Sequence, residues 1–138
     1  KVEVEFSQIC RTVGLGNTIW SPLASGILTD KYASGVPSGT RLDLEGMDWL
    51  RDQKLTEENL QTVRKLSAFA GGLGVSLANL AIAWCLKNTD VSTVILGASR
   101  AEQLVENLAS LEVLDKLTPE VMAGIEDILK NKPAPPQY

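Results

Sequence analysis

Residues 17–32 read N-T-I-W-S-P-L-A-S-G-I-L-T-D-K-Y, and this stretch decides how the rest of the chain is interpreted. A short apolar run stops on Trp20 and passes straight into Ser21 and Pro22, with Gly26 and Lys31 close behind. The pattern predicts a strand through Trp20 that ends in a tight polar turn. Turns of this kind are places where proteins keep ligand-binding groups.

A second strand is predicted at residues 91–96, V-S-T-V-I-L, because its β-branched residues are bounded by Asp90 and Gly97. Apolar periodicity with capping residues predicts helices at residues 2–13, 56–74, 76–88, 101–108 and 118–130. Residues 26–54 contain several glycines and predict little regular structure beyond a turn of helix near Leu28. An excursion of that length is usually functional.

Strands that alternate with helices predict an α/β protein with a parallel sheet covered by helices on its faces. Two strands cannot close a barrel or bury a parallel sheet. The chain also begins without methionine, inside a predicted helix. We therefore expect an incomplete domain whose other strands come from sequence outside these 138 residues or from another chain.

The totals exclude several functions. A net charge of −4 without a basic cluster argues against nucleic-acid binding, and the absence of histidine removes His-based metal sites and His-activated nucleophiles. No apolar run reaches the roughly 18 to 20 residues of a membrane helix, so direct membrane insertion is not expected. Cys10 and Cys85 lie among apolar residues, which predicts buried reduced thiols in the cytoplasm.

The turn after Trp20 is the first candidate site. Backbone N–H groups after a parallel strand can bind phosphate oxygens, and Ser21, Gly26 and Lys31 would add a hydroxyl, close backbone approach and a positive charge. The alternative is a capped turn with a solvated lysine. Trp20 could stack on a planar ring, although spacing alone favours a place in the core.

The second candidate follows the second strand. A helix beginning near Ser99, with Arg100 beside its positive end, could bind an anion. The side chains of Gln103, Glu106 and Asn107 recur every three or four residues and could share a face for an amide or aromatic nitrogen edge. A capped surface helix is the alternative.

Both candidates follow neighbouring parallel strands at the same end. Together with Arg41 from the long excursion, Lys31 and Arg100 would surround one mouth, which predicts a ligand with several phosphate charges.

Four motifs, in the right order and over nearly the whole chain, closely resemble the aldo-keto reductase superfamily, nearest to the branch of the voltage-gated potassium channel beta subunits and their bacterial, fungal and plant relatives. The motifs are residues 20–26 (W-S-P-L-A-S-G), 31–32 (K-Y), 77–86 (L-A-N-L-A-I-A-W-C-L), and 96–99 (L-G-A-S) with 102–103 (E-Q) and 106–107 (E-N).

The resemblance implies a (β/α)8 TIM barrel with NADPH at its C-terminal mouth. Residues 1–138 would be its C-terminal portion, strands seven and eight with their helices, ending in a Pro-rich tail at residues 131–138. It implies NADP(H) as cofactor. The residues implied to bind it are Trp20, Ser21, Pro22, Leu23, Ala24, Ser25, Lys31, Arg41, Gly97, Ser99, Gln103, Glu106 and Asn107.

Two positions depart from the animal channel subunits: Ser25 stands where they typically have cysteine, and Gly39 where they have an aromatic residue beside the adenosine site. The family's catalytic tetrad belongs to the first half of the barrel, and no residue here matches it, so no catalytic residue is assigned. Tyr32 lies in the cofactor loop and is not expected to be catalytic.

Three functions remain open. The first is the cofactor-binding part of an NADPH-dependent oxidoreductase that reduces aldehydes or ketones, completed by the missing N-terminal half of the barrel and acting on a small carbonyl substrate, in a homo-oligomer. The second is a regulatory subunit that docks on a potassium channel. The third is an α/β scaffold piece without cofactor affinity.

Overall fold

A computed structural model describes residues 1–134 of the chain. The predicted Pro-rich tail at residues 131–138 therefore lies half outside the described residues, and residues 131–134 have neither helix nor strand. The regular elements are α1 (Ser7–Val13), β1 (Asn17–Trp20), α2 (Asp48–Lys54), α3 (Glu57–Gly72), α4 (Leu77–Lys87), β2 (Val91–Ile95), α5 (Ala101–Leu108) and α6 (Pro119–Leu129), with short 3-10 helices at Ala24–Thr29, Arg41–Asp43 and Ala109–Lys116.

Three helix starts confirm the capping predictions. The side chains of Thr56, Ser76 and Thr118 each accept a hydrogen bond from the backbone N–H three residues further on, at 3.2, 3.1 and 3.4 Å. Each bond satisfies one of the four N–H groups that a helix start leaves without a partner. Short polar side chains thus fix where α3, α4 and α6 begin.

The first helix is shorter than predicted. Residues 2–6 form turns, in which the N–H groups of Val4 and Phe6 both donate to the Lys1 carbonyl, and α1 begins only at Ser7. Within the predicted apolar face, Cys10 is buried whereas Val13 is 77% exposed. Apolar spacing was wrong here as a guide to burial, because no other described element covers this side of α1.

The prediction of little structure over residues 26–54 was wrong for its last part, where α2 forms. Asp48 stands in the first turn of α2 and Lys54 in the last, which suits the helix dipole. Leu50 packs with Tyr32 and Leu42 in a small second core. A seven-residue helix offers only one or two periodic apolar positions, too few to be recognised among the surrounding glycines.

The sheet consists of β1 and β2 in parallel, with Thr18 opposite Thr93 and Ile19 opposite Val94, and with a register irregularity after Asn17. Helix α4 packs against β2. Ile19 and Val94 are half-buried, whereas Thr18 and Thr93 are exposed. Within residues 1–134 the sheet is therefore covered on one face only, not on both as expected.

The main core lies among α3, α4, α6 and the two 3-10 helices Ala24–Thr29 and Ala109–Lys116. It is built from Ile27, Val63, Leu66, Ala70, Leu77, Leu80, Ala83, Val113, Leu117 and Ile125. Gly124 on α6 allows close contact with α3, because a Cβ there would lie 2.8 Å from the Phe69 ring. The core thus anchors the 3-10 helix that follows β1.

Among the described residues, no single helix is long and apolar enough to cross a membrane; α3 and α4 together satisfy length and composition, but as a pair bent by 89°.

Candidate functional site

The strand register brings the two predicted site loops together. Trp20 lies opposite Ile95 at the carboxyl ends of β1 and β2. The segment after β1, residues 21–31, is called loop 1, and the segment after β2, residues 96–100, is called loop 2. Both loops therefore leave the sheet at the same edge, as the sequence predicts for parallel strands.

Trp20 is not in the core. Its residue is 76% exposed, so the expectation from spacing alone that it fills the core is wrong. The physical reason is that the face of the sheet to which Trp20 belongs is uncovered in the described part of the chain. An indole at a strand end can there lie flat against a planar ring.

Loop 1 has an unusual backbone. Within residues 21–26 of this loop, positive φ angles occur at Ser21 (56°), Ala24 (47°), Ser25 (65°) and Gly26 (95°). For the three non-glycine residues the left-handed conformation is unfavourable, and such residues persist where the surrounding structure holds them, often at binding sites. Ile27, which is buried in the main core, supplies that hold.

Lys31 folds back over loop 1. A Cβ added to Gly26 would lie 2.7 Å from the Lys31 Cε and 2.8 Å from its Nζ, so a larger residue at this position would displace the end of the Lys31 side chain. The Lys31 Nζ also lies 5.1 Å from the centroid of the Tyr32 ring. The positive charge is thus kept beside the loop, where the sequence analysis expects phosphate.

Arg41 belongs to a segment that packs on loop 1. The 3-10 helix Arg41–Asp43 contacts the 3-10 helix Ala24–Thr29, and the adjacent Leu42 is fully buried. The Gly39 N–H donates to Asp43 Oδ2 at 2.8 Å and closes the preceding turn. Arg41 itself is exposed and forms no ion pair within residues 1–134. Its charge is therefore available to a ligand.

Loop 2 is exposed along residues 97–100, and α5 spans Ala101–Leu108, as predicted from the apolar periodicity. The N–H and the hydroxyl of Ser99 both donate to Gln103 Oε1, at 2.9 and 3.1 Å. These bonds occupy Ser99 within the chain, although α5 itself begins without a side-chain cap. Gln103 must turn away before Ser99 can donate to a phosphate.

The three α5 side chains predicted to share a face differ in environment. Asn107 is buried at 7% exposure and Gln103 is half-buried, whereas Glu106 is exposed. Helix α5 packs against α4 and the 3-10 helix Ala109–Lys116, which accounts for the burial of Asn107. A ligand over loop 2 would therefore meet Gln103 and Glu106 more readily than Asn107.

Two features near the end of loop 1, one contact and one buried hydroxyl, are not apparent from the sequence. Ser67 Oγ on α3 donates to Asp30 Oδ2 at 2.8 Å, and these residues are 37 positions apart. Tyr32 is 1% exposed, and its hydroxyl has no partner among the described residues. Neither residue pattern contains a spacing signal that could have revealed these features.

Neither of two cavities among the described residues is lined by Trp20 or by loop 2. One, of about 300 Å³, is lined by Asp90 and Asn88 at the opposite end of β2. Another, of about 250 Å³, lies behind loop 1 and is lined by Pro22, Trp84 and Cys85, the last with a thiol pKa raised by burial. Within residues 1–134 the strand-end site is thus an open surface, and no group of three or more metal-ligating side chains occurs there.

The chain matches known proteins over nearly its whole length. Residues 1–130 match the model of the aldo/keto reductase family. A protein from Oryza sativa subsp. japonica, described as a probable voltage-gated potassium channel subunit beta, is 50% identical over 134 residues. The match covers 96% of this chain but 41% of that relative, so the chain spans about two fifths of the relative's length.

Proposed function

Because the chain belongs to the aldo/keto reductase family, we propose that it is the cofactor-binding C-terminal part of an NADPH-dependent oxidoreductase that reduces aldehydes or ketones. The nicotinamide, when bound, supplies the hydride. The residues of this chain bind and orient the cofactor; the proton donor and the walls of the carbonyl pocket belong to the missing N-terminal half. The two free cysteines, Cys10 and Cys85, suit a reducing compartment such as the cytoplasm.

The proposed architecture is the last two β/α units of a (β/α)8 barrel. The two parallel strands support this, because one face of their sheet is uncovered and each strand has one unpaired edge within the described residues. In a barrel, the interior face is filled by side chains of the other strands and the edges pair with neighbours. Thr18, Trp20, Thr93 and Ile95 would then face the interior.

The proposed division of labour follows the site geometry. Trp20 would support the nicotinamide ring with its exposed indole. Residues 21–25 of loop 1, together with Lys31 at its end, would hold the pyrophosphate. Arg41 with loop 2, through Gly97 and Ser99, would hold the adenosine half and its 2'-phosphate, assisted by α5 through Gln103, Glu106 and Asn107.

One observation favours this assignment over a plain scaffold: a bulky indole and a lysine charge converge on one strained loop at a strand end. The indole is 76% exposed, and Lys31 is folded against Gly26. Leaving a large aromatic ring in water forgoes about 1.5 to 3 kcal/mol of burial energy. The remaining strands of the barrel and a ligand at its mouth would together cover this ring and recover that energy.

A channel-associated regulatory subunit is the second candidate, and the similarity to the rice protein described as a probable channel subunit favours it. Both candidates use the same cofactor surface, and both would act as oligomers. Reductase activity and channel docking therefore have to be separated by experiment on the full-length protein.

The test is titration of the full-length protein with NADPH. Binding is measured by the quenching of tryptophan fluorescence and by calorimetry. We expect one site per chain and tighter binding of NADPH than of NADH. Absence of binding by both nucleotides would overturn the proposal. Steady reduction of a simple aldehyde would then support the reductase, and co-purification with a channel's cytoplasmic domain without turnover would support the regulatory subunit.

A further inference from the structure

Asp30 is the residue that joins loop 1 to the lysine at its end. It ends the 3-10 helix Ala24–Thr29 in a left-handed conformation, with φ 60° and ψ −10°. Aspartate adopts this conformation less readily than glycine but more readily than most residues. A contact from outside the loop would help to hold Asp30 in this conformation.

The hold comes from α3. Ser67 Oγ donates to Asp30 Oδ2 at 2.8 Å in a partly buried position. Ser67 follows Leu66, which is buried in the main core together with Val63 and Ala70 of the same helix. The backbone beside these buried residues is held by their packing, so the bond ties Asp30 to the main core.

The residue after Lys31 is fixed as well. Tyr32 is 1% exposed and packs with Leu42 and Leu50 in the second core. Lys31 is therefore placed between two anchored neighbours, Asp30 and Tyr32, and its side chain lies over Gly26. A lysine side chain on a free loop must lose much of its rotamer entropy when it binds a phosphate, and prior placement reduces that loss.

We propose that Ser67 and Asp30 are positioning residues, which hold Lys31 where its amino group meets the phosphates of the bound dinucleotide. This inference rests on the proposed function. Neither Ser67 nor Asp30 is assigned a contact with the cofactor. Their effect on binding passes through Lys31.

The experiment measures the Kd of NADPH for variants of the full-length protein. We expect Ser67→Ala to raise the Kd by about 3- to 10-fold, the range for one hydrogen bond that orders a charged group. Thr62→Ala is the matched control, because Thr62 on the same helix uses its hydroxyl only within α3, donating to the Glu58 carbonyl at 3.0 Å. That control should bind as the wild type does.

Asp30→Asn and Asp30→Ala separate loss of the hydrogen bond and of the backbone conformation from the effect of substitution alone. Asparagine keeps an acceptor for Ser67 and tolerates the left-handed backbone, whereas alanine does neither. We therefore expect Asp30→Asn to remain within about 3-fold of the wild-type Kd and Asp30→Ala to bind at least as weakly as Ser67→Ala.

The decisive comparison uses Lys31→Ala as background. If Ser67 acts through Lys31, adding Ser67→Ala to Lys31→Ala changes the Kd by less than about 2-fold. An undiminished loss in that background, or no loss in the wild-type background, would overturn the inference while NADPH binding and the proposed function stand. Absence of NADPH binding by the wild type would overturn both.

Discussion

Trp20 lies directly opposite Ile95 in the parallel pair, and both side chains are exposed, at 76% and 51%. Paired positions in adjacent strands point to the same face of a sheet. The uncovered face therefore reaches the strand ends, where loop 1 and loop 2 begin. The candidate site and the uncovered face are one continuous surface.

Trp20→Ala should weaken NADPH binding by about 3- to 10-fold in the full-length protein, because an aromatic contact of this type contributes about 0.5 to 1.5 kcal/mol. Trp49→Ala is the matched control, since Trp49 on α2 is 64% exposed but lies away from the strand ends. Calorimetric titration measures both, because it does not depend on the tryptophan that is removed. Equal effects of the two substitutions would remove Trp20 from the site.

Arg41→Ala should weaken NADPH by about 10-fold or more and leave NADH nearly unchanged, because only NADPH has the 2'-phosphate. Arg51→Ala controls for lost charge in the same region, where Arg51 pairs with Asp48. Calorimetry with both nucleotides gives the ratio of affinities. Parallel losses for NADPH and NADH would contradict the assignment of Arg41.

Gly26→Ala should lower the free energy of unfolding by about 1 to 2 kcal/mol, the cost of placing a Cβ in the left-handed region. Gly39→Ala should cost about the same, since Gly39 has φ 75° with open space around it. Only the substitution at Gly26 should also displace the Lys31 side chain and weaken the binding of NADPH. Urea unfolding and NADPH titration of both variants separate backbone strain from displacement of the lysine.

Tyr32→Phe should leave the free energy of unfolding unchanged or raise it by up to about 1 kcal/mol, because it removes a buried hydroxyl without a partner among the described residues. Tyr32→Ala should cost about 3 to 5 kcal/mol by opening a cavity in the second core. Urea midpoints test both values. A loss above 1 kcal/mol for Tyr32→Phe would reveal a hydrogen-bond partner outside residues 1–134.

Cys85 gives a prediction for alkaline pH. Burial raises the pKa of its thiol above the ordinary value near 9.0. Just above pH 9.0 the unfolded chain loses this proton while the folded chain keeps it, so stability falls as pH rises through that window. Cys85→Ala should make the decline that begins near pH 9.0 less steep. Identical slopes for the two proteins in urea unfolding would contradict the burial effect.

The sequence predicts those elements whose signals are local. Thr56 and Ser76 predict the starts of their helices, because a capping side chain accepts its hydrogen bond from an N–H only three residues away. Helix α2 was not predicted, because it is too short to show a helical period of apolar residues. The core position that spacing alone favoured for Trp20 was wrong, because burial depends on what covers a residue. Spacing within one strand does not contain that information.

The site follows the same division. The meeting of loop 1 and loop 2 was predictable, since parallel strands present the same ends together. The bond between Ser67 and Asp30 was not, because it joins residues whose neighbourhood exists only once α3 has packed. The engagement of Ser99 with Gln103 likewise depends on side-chain orientation.

The Asn17 side-chain amide donates to the Asp90 carbonyl at 2.8 Å, across 73 positions of the chain. During synthesis, β1 therefore leaves the ribosome well before β2 exists, by roughly 4 to 15 s at ordinary elongation rates. Helices α3 and α4 emerge in that interval and can pack locally at once, whereas strand pairing must close a long loop. We therefore expect α3 and α4 to pack on each other before β1 pairs with β2.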